Sequence, residues 1–325
     1  MWIALGVVFG LWLLMNLKTS RPDGVLLKTH PFRRMLFYLM PTRNESYVLF
    51  DDYVDAEKLV AYIAEAKAAG LRVDITTCVV AALAIGLDEV PKMNRFVVGR
   101  RIYQRNHRKI TFSMLRKKKD KSARVSTVQL VAKDDWTFAD LVAATEEKIG
   151  VERSDKVTYT DKELNLFLRL PRPILNVGIR FFRWLDYHNL LPGAFIANDP
   201  MYTSIFLANL GSIGMRPGYH HLFEWGNCPL FVMVGRLEDR PVVVDGEVVV
   251  RKQLHIRFTY EERIDDGLNA NAGIIAVRKA LEAPFVAFGC LAEDGSDRRP
   301  LAGAPEGYDD KADQPLPTGE SAPSA

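Results

Sequence analysis

His220-His221 is the obvious place to look for proton-transfer chemistry, because imidazole titrates near neutrality. The pair stands in Tyr219-His220-His221-Leu222-Phe223, between turn residues and an aromatic stretch, which reads as structural or solvent-facing. The basic run Arg116–Lys121 reads as a solvated hairpin tip, with anionic lipid headgroups as one alternative. Its lysines lack interleaved aromatics, so no nucleic-acid partner is expected. Cys78, Cys228 and Cys290 are odd in number and far apart. That pattern disfavours a disulfide framework or a structural zinc and suits a reducing compartment; no metal site is expected. A P-loop, a G-x-G-x-x-G turn, zinc-ligand spacing and a G-x-S-x-G elbow are all missing.

The 325 residues, 48% hydrophobic and 26% charged, are those of an ordinary globular chain able to bury a full core. From Glu293 onward 8 acidic residues face 3 basic ones, leaving +8 on residues 1–292. That end is also rich in Pro, Gly, Ser and Ala, so residues 292–325 are expected to form a disordered acidic tail. Met1–Leu17, MWIALGVVFGLWLLMNL, has uncharged side chains. As a helix it would be about 25 Å long, at the short end for a hydrocarbon core of about 30 Å. A cleaved signal peptide lacks its basic n-region and cleavage site here, and a buried soluble helix would show a polar face. The expectation is a transmembrane anchor over 1–18. Lys18, Arg21, Lys28, Arg33 and Arg34 follow it and place a main domain over 19–291 in the cytoplasm.

After a basic linker, periodicity predicts a strand over Ser46–Asp52, helices over Ala56–Ala69 and Ile75–Asp88, and strands over Phe96–Val98, Ile102–Gln104, Ile110–Leu115 and Val125–Ala132. A helix follows over Thr137–Val151. Leu164–Leu191 mixes large apolar residues with Arg169, Arg172, Arg180 and Arg183; it reads either as a core-facing helix with solvated arginines or as an interfacial helix on a membrane. Strands resume at Thr203–Leu207 and Leu230–Val234. Arg240–Val250 is a hairpin turning at Asp245-Gly246, Leu254–Tyr260 a last strand, and Asn269–Leu281 a closing helix. A hairpin embedded among helices argues for an α/β two-layer sandwich, a mixed sheet covered by helices.

Residues 203–283 carry a sequence of features with a recognisable order. A strand leads into Asn209-Leu210-Gly211-Ser212-Ile213-Gly214, then Val234-Gly235-Arg236, then the Val243-Val244-Asp245-Gly246 hairpin. A strand then runs to Glu261-Glu262-Arg263-Ile264-Asp265-Asp266-Gly267 and a helix closed by Pro284. This resembles the last third of the catalytic domain of the 2-oxoacid dehydrogenase acyltransferases, with its S-N-L-G strand end, V-V-D-G hairpin and D-H-R-x-x-D-G motif. Chloramphenicol acetyltransferase shares that fold, and Asn94-Arg95-Phe96 resembles its N-R-F segment. The resemblance covers roughly residues 26–290. No lipoyl or peripheral-subunit-binding segment is read ahead of the core, so a complete dehydrogenase-complex subunit is not expected.

The resemblance implies a homotrimer with clefts between subunits, no bound cofactor, and a coenzyme A thioester as co-substrate, whose phosphates Arg116–Lys121 could meet. In the family, the histidine of D-H-R-x-x-D-G takes the proton of a thiol that attacks the acyl carbonyl, and a hydroxyl in S-N-L-G donates to the oxyanion. Carried over, the catalytic candidates are Glu262 at the histidine position, Arg263 and Asp266. The substrate-binding candidates are Asn209, Gly211 and Ala208, which replaces the serine. A carboxylate near pKa 4.3 is a poor base for a thiol near 8.5, although burial can raise it by several units. Two roles stay open. One is a membrane-bound scaffold or ligand-binding protein that keeps the cleft without the chemistry, which the Glu262/Ala208 pair favours. The other is an acyltransferase with Glu262 as base, acting on a thiol, hydroxyl or lipid-like acceptor.

Overall fold

The computed structural model describes residues 2–115, 125–153 and 169–303. The chain opens with α1 (Trp2–Leu17), β1 (Gly24–Leu26), α2 (Pro31–Leu39), β2 (Tyr47–Asp55), α3 (Glu57–Ala68) and α4 (Ile75–Glu89). Next come β3 (Arg95–Val98), β4 (Arg101–Arg105), β5 (Arg108–Leu115), β6 (Val125–Ala132), α5 (Phe138–Arg153), α6 (Arg172–Tyr187) and α7 (Gly193–Asn198). It closes with β7 (Ile205–Asn209), β8 (Leu230–Val244), β9 (Glu247–Glu261), α8 (Gly267–Glu282) and α9 (Pro284–Ala287). The main sheet has six strands in the order β2-β9-β8-β7-β5-β6, and a three-stranded sheet runs β1-β4-β3. Parallel pairing is confined to β5–β7 and β7–β8, so the main sheet is mixed, as the sequence pattern predicts.

One face of the main sheet is covered by helices. Its core joins Leu59 and Tyr62 of α3, the nearly continuous buried run Cys78–Leu87 of α4, and Ile274 and Val277 of α8 to strand residues such as Phe112, Leu207, Val232 and Phe258. α4 starts where the Asp74 carboxylate accepts from Thr77 N (2.9 Å), so an N-cap positions this helix. Close approach of α8 depends on Gly273, where a Cβ would sit 1.6 Å from Met93 Sδ. A smaller apolar layer of Phe206, Leu222, Cys228, Phe231 and Met233 covers the other face.

Four sequence-based expectations change. β8 and β9 are two continuous 15-residue strands, not a hairpin flanked by separate strands; an irregularity between Val234 and Leu237 bends β8 without ending it. The turn itself is as expected, with φ positive at both Asp245 and Gly246. α1 forms, but its 16 residues give about 24 Å; no helix among the described residues is long and apolar enough to cross a membrane. The expected span over residues 1–18 is therefore not shown. The packed domain also continues past 291, because Leu301 is buried, Leu301 N donates to Trp136 O (2.7 Å), and Thr137 bridges Pro300. Of the expected acidic tail, residues 304–325 lie outside the described residues, as do Arg116–Lys121 and 164–168 of the Leu164–Leu191 segment. Finally, the basic linker contains a helix: His30 caps α2 and Pro31 occupies its first turn, where a missing N–H costs nothing.

The segment that follows α1 is joined to the domain by a buried polar cluster. Arg21 donates to Asp23 (3.0 Å), Asp186 (2.9 Å) and Asn189 (3.1 Å), and Asn227 Nδ2 donates to the other Asp23 oxygen (2.7 Å). Burial works against the Asp23 charge, but Arg21 and Arg105 hold its pKa below the usual range. Beside this cluster, burial, helped by Arg105 and Lys109, pushes the His107 imidazole down to about 4. The unfolded chain, with an ordinary histidine near 6.5, therefore takes up this proton first. Stability present above pH 6.5 should be lost as pH falls through 4, by about 1–2 kcal/mol once partial exposure is discounted. Urea titrations across that window should show His107→Gln flattening the loss; an unchanged slope would remove His107 from the acid sensitivity.

Candidate functional site

A cleft of about 600 Å³ opens at the carboxyl ends of β5 and β7, between α3, the start of α4, and α5. Its apolar wall includes Ile63, Val80, Phe112, Met114 and Ile149, and Lys67, Arg153 and Arg236 bring positive charge to it. Its volume and its apolar wall, interspersed with polar side chains, are those of a small-molecule site.

The strand end that resembles S-N-L-G forms one border of this cleft. Asn209 and Gly211 line it, Ala208 does not. Asn209 Nδ2 donates to Thr76 Oγ1 (2.9 Å), tying the strand end to the first turn of α4, while Asn209 Oδ1 accepts from Ser212 N (3.1 Å) and caps a short 3₁₀ turn. Gly211 is required by close approach: a Cβ there would lie 2.2 Å from Gly235 O. Strand alternation sends Ala208 to the other face, where it packs against the small apolar layer with Leu210 and Tyr47. Ser113 pairs with Ala208 in the β5–β7 ladder and also borders the cleft, so a hydroxyl stands one strand away from the expected one. Thr76, Ser113 and the three cleft cations carried no sequence signal, because only the fold brings them to the strand end.

The other half of the expected site lies elsewhere. In the ladder Ala208 pairs with Met233, and Met233 with Arg257. Glu262 is five residues beyond Arg257, about 16 Å along β9 and about 10 Å across two strands. Within one copy these positions form no common site. Arg263 is buried and donates through Nε to Glu261 Oε1 (2.8 Å) and through Nη1 to Met40 O and Pro41 O (3.0 and 3.1 Å). Asp266 caps α8 by accepting from Asn269 N (3.2 Å) and Asn269 Nδ2 (2.7 Å); against opposing burial, these bonds lower its pKa. Both matched residues therefore hold the backbone. Glu262 is exposed, and among the described residues its carboxylate makes no hydrogen bond or ion pair; the Arg33 guanidinium reaches only its backbone carbonyl.

His220 stacks on Phe231, with centroids 3.9 Å apart, and its pKa is lowered by burial. It is a structural histidine beside the Ala208 layer, as its sequence context suggests.

No family model matches the chain. The lipoamide acyltransferase component of the branched-chain alpha-keto acid dehydrogenase complex of Pseudomonas putida is 42% identical over 88 residues, 26% of this chain and 20% of that protein. Its Pseudomonas aeruginosa counterpart is 36% identical over 91 residues, again 26% and 20%. The chain thus spans about a fifth of the length of the curated relatives it matches. Among solved structures, a truncated catalytic core of the 2-oxoacid dehydrogenase multienzyme complex from Thermoplasma acidophilum superposes with a TM-score of 0.52 at 17% identity, covering 80% of this chain and 99% of that one. The cubic core of a pyruvate dehydrogenase multienzyme complex gives 0.51 at 18% identity, covering 82% and 93%. These likenesses show the fold: a mixed sheet and its helices matching the acyltransferase core.

Proposed function

We propose that this chain is an acyltransferase-fold protein that binds an acyl thioester or a lipid-like acyl ligand in its cleft, with histidine-dependent transfer lost. The observation that carries this reading is the division of labour in the motif. Arg263 and Asp266 hold the backbone, while the position that would need a base carries an exposed glutamate. A coenzyme A thioester fits the chemistry of the cleft, its acyl chain against Phe112 and Met114 and its phosphates toward Lys67, Arg153 and Arg236. Assembly as a homotrimer would bring Glu262 of one copy toward the Ala208 strand end of the next. Likeness to the cubic core of a multienzyme complex supports a symmetric assembly. The apolar, exposed α1 attaches the protein to a bilayer, with the basic residues after it against anionic headgroups.

A second reading is favoured by two observations: among the described residues the Glu262 carboxylate makes no hydrogen bond or ion pair, and Ser113 offers a hydroxyl beside Ala208. In that case Glu262 is the base and Ser113 the oxyanion donor, across a subunit boundary.

Light scattering coupled to size exclusion should give the mass of three copies for the detergent-solubilised protein. Calorimetry should show saturable binding of a long-chain acyl-coenzyme A, weakened about tenfold, or about 1.4 kcal/mol, by Ile213→Trp on the exposed cleft rim. A monomer at micromolar concentration would remove the shared site, and binding indifferent to Ile213→Trp would place the ligand outside this cleft.

A further inference from the structure

Three helices leave apolar stripes without a partner among the described residues, and all three meet at one corner. α6 has no buried residue; Ile174, Val177, Phe181 and Trp184 recur along one stripe and are all exposed. On α2, Phe32, Met35 and Leu39 do the same. α1 carries exposed Trp2, Phe9, Trp12 and Leu14. These spacings are those of amphipathic faces on α2 and α6, and exposed apolar area on this scale marks an interaction surface.

The meeting point is the β3–β4 turn, Gly99-Arg100-Arg101. Arg101 donates to the carbonyls of Asn16, in the last turn of α1, and of Lys18 just after it. The Arg100 guanidinium lies 4.5 Å from the Tyr38 ring centroid of α2. Gly99 is pressed against the end of α6, where a Cβ would stand 2.3 Å from Tyr187 O. A hollow of about 210 Å³ opens at the same corner.

The charges there select one kind of partner. α1 and α2 carry no acidic residue, and the single one on α6, Asp186, is spent on Arg21. In the hollow, Arg43 and Arg263 are paired with Glu261, and Glu224 accepts from Asn44. Arg183 and Arg100 remain, the first with no ion pair among the described residues and the second only over Tyr38. Arg180 borders the stripe, one turn from Val177 and Trp184, and Arg172 lies on the opposite side of α6. Apolar stripes bordered by unpaired arginines suit an anionic phospholipid surface, with acyl chains against the stripe and headgroup phosphates between the guanidiniums.

We propose that α6 and α2 form a second membrane contact that lays the domain flat on an anionic bilayer, with a headgroup phosphate held between Arg100 and Arg183. This deepens the attachment assigned to α1 and rests on that reading. It gives the cleft a defined height above the lipid, where an acyl ligand could be drawn from the bilayer.

The test uses the full chain with Cys290→Ser, which leaves only the buried Cys78 and Cys228, in vesicles of phosphatidylcholine with phosphatidylserine or of phosphatidylcholine alone. Nitroxide labels at Val177→Cys, Arg172→Cys and Phe9→Cys are compared for collision with oxygen, which enters lipid, and with a nickel chelate, which stays in water. The label at 177 should favour oxygen several-fold over that at 172, only when phosphatidylserine is present. Arg100→Gln with Arg183→Gln should weaken that dependence by about fivefold per arginine. A label at 177 open to the nickel chelate while that at 9 is shielded would overturn the platform and leave the α1 attachment standing. Oxygen contact at 177 without lipid contact at 9 would support the platform and overturn the α1 attachment. Shielding of 177 from both reagents would place a second copy of the chain there, and the lipid assignment would fall.

Discussion

Glu261→Gln is expected to destabilise the fold by about 3–5 kcal/mol, whereas Glu262→Gln, one residue on, should change stability by less than about 0.5 kcal/mol. Glu261 is fully buried at the end of β9, with Oε1 2.7 Å from Arg263 Nη2 and Oε2 3.3 Å from Arg43 Nε. Those arginines reach outward to the carbonyls of Met40, Pro41, Phe223 and Val97. One carboxylate thus joins the end of α2, the strand β3 and the loop before β8 to the central strands. Removing its charge at constant size leaves two guanidiniums uncompensated in a low-dielectric site, and that cost exceeds the worth of either bond alone. Glu262 is exposed, and among the described residues its carboxylate has no partner to lose. Urea unfolding with a common m-value is the measurement; equal losses in the two variants would mean that the motif is not divided between architecture and an open position.

This division also shows what a sequence can and cannot disclose. Local pattern suffices for α3, α4, α8 and the Asp245-Gly246 turn, since periodicity, caps and turn chemistry are all short-range. It fails at β8, where Gly235-Arg236 reads as a stop although the ladder resumes at Leu237; only the pairing partner carries the strand through. The cap and proline that start α2 were present at His30 and Pro31, but the surrounding positive charge masked a helix whose apolar stripe is unburied. Resemblance brought Arg263, Asp266, Asn209 and Gly211 forward as one site. Register separates them into two ends of a sheet, a fact of strand order that no linear motif contains. The buried Arg21–Asp23–Arg105 cluster was equally silent, because charged residues in a linker look alike whether solvated or enclosed.

Purified protein given acetyl and longer acyl-coenzyme A donors is expected to release no coenzyme A above the uncatalysed rate. The reason is quantitative. Loss of a positioned oxyanion donor removes about 2.7–4 kcal/mol of transition-state stabilisation, and loss of a general base another two orders of magnitude or more. Glu262 is exposed, and within one copy it stands at the far end of β9 from the Ala208 strand end. The double change Glu262→His with Ala208→Ser should then restore a measurable trace of thiol acetylation, because Arg263 and Asp266 already hold the backbone on which a histidine would stand. The competing reading makes an opposite forecast. If Glu262 works as a base across a subunit boundary with Ser113 as donor, the wild type turns over. Glu262→Gln and Ser113→Ala should then each cut coenzyme A release by about a hundredfold, with binding of the donor unchanged. Turnover that survives both changes would sink the two readings together, since the chemistry would then lie on residues other than the strand end and the β9 motif.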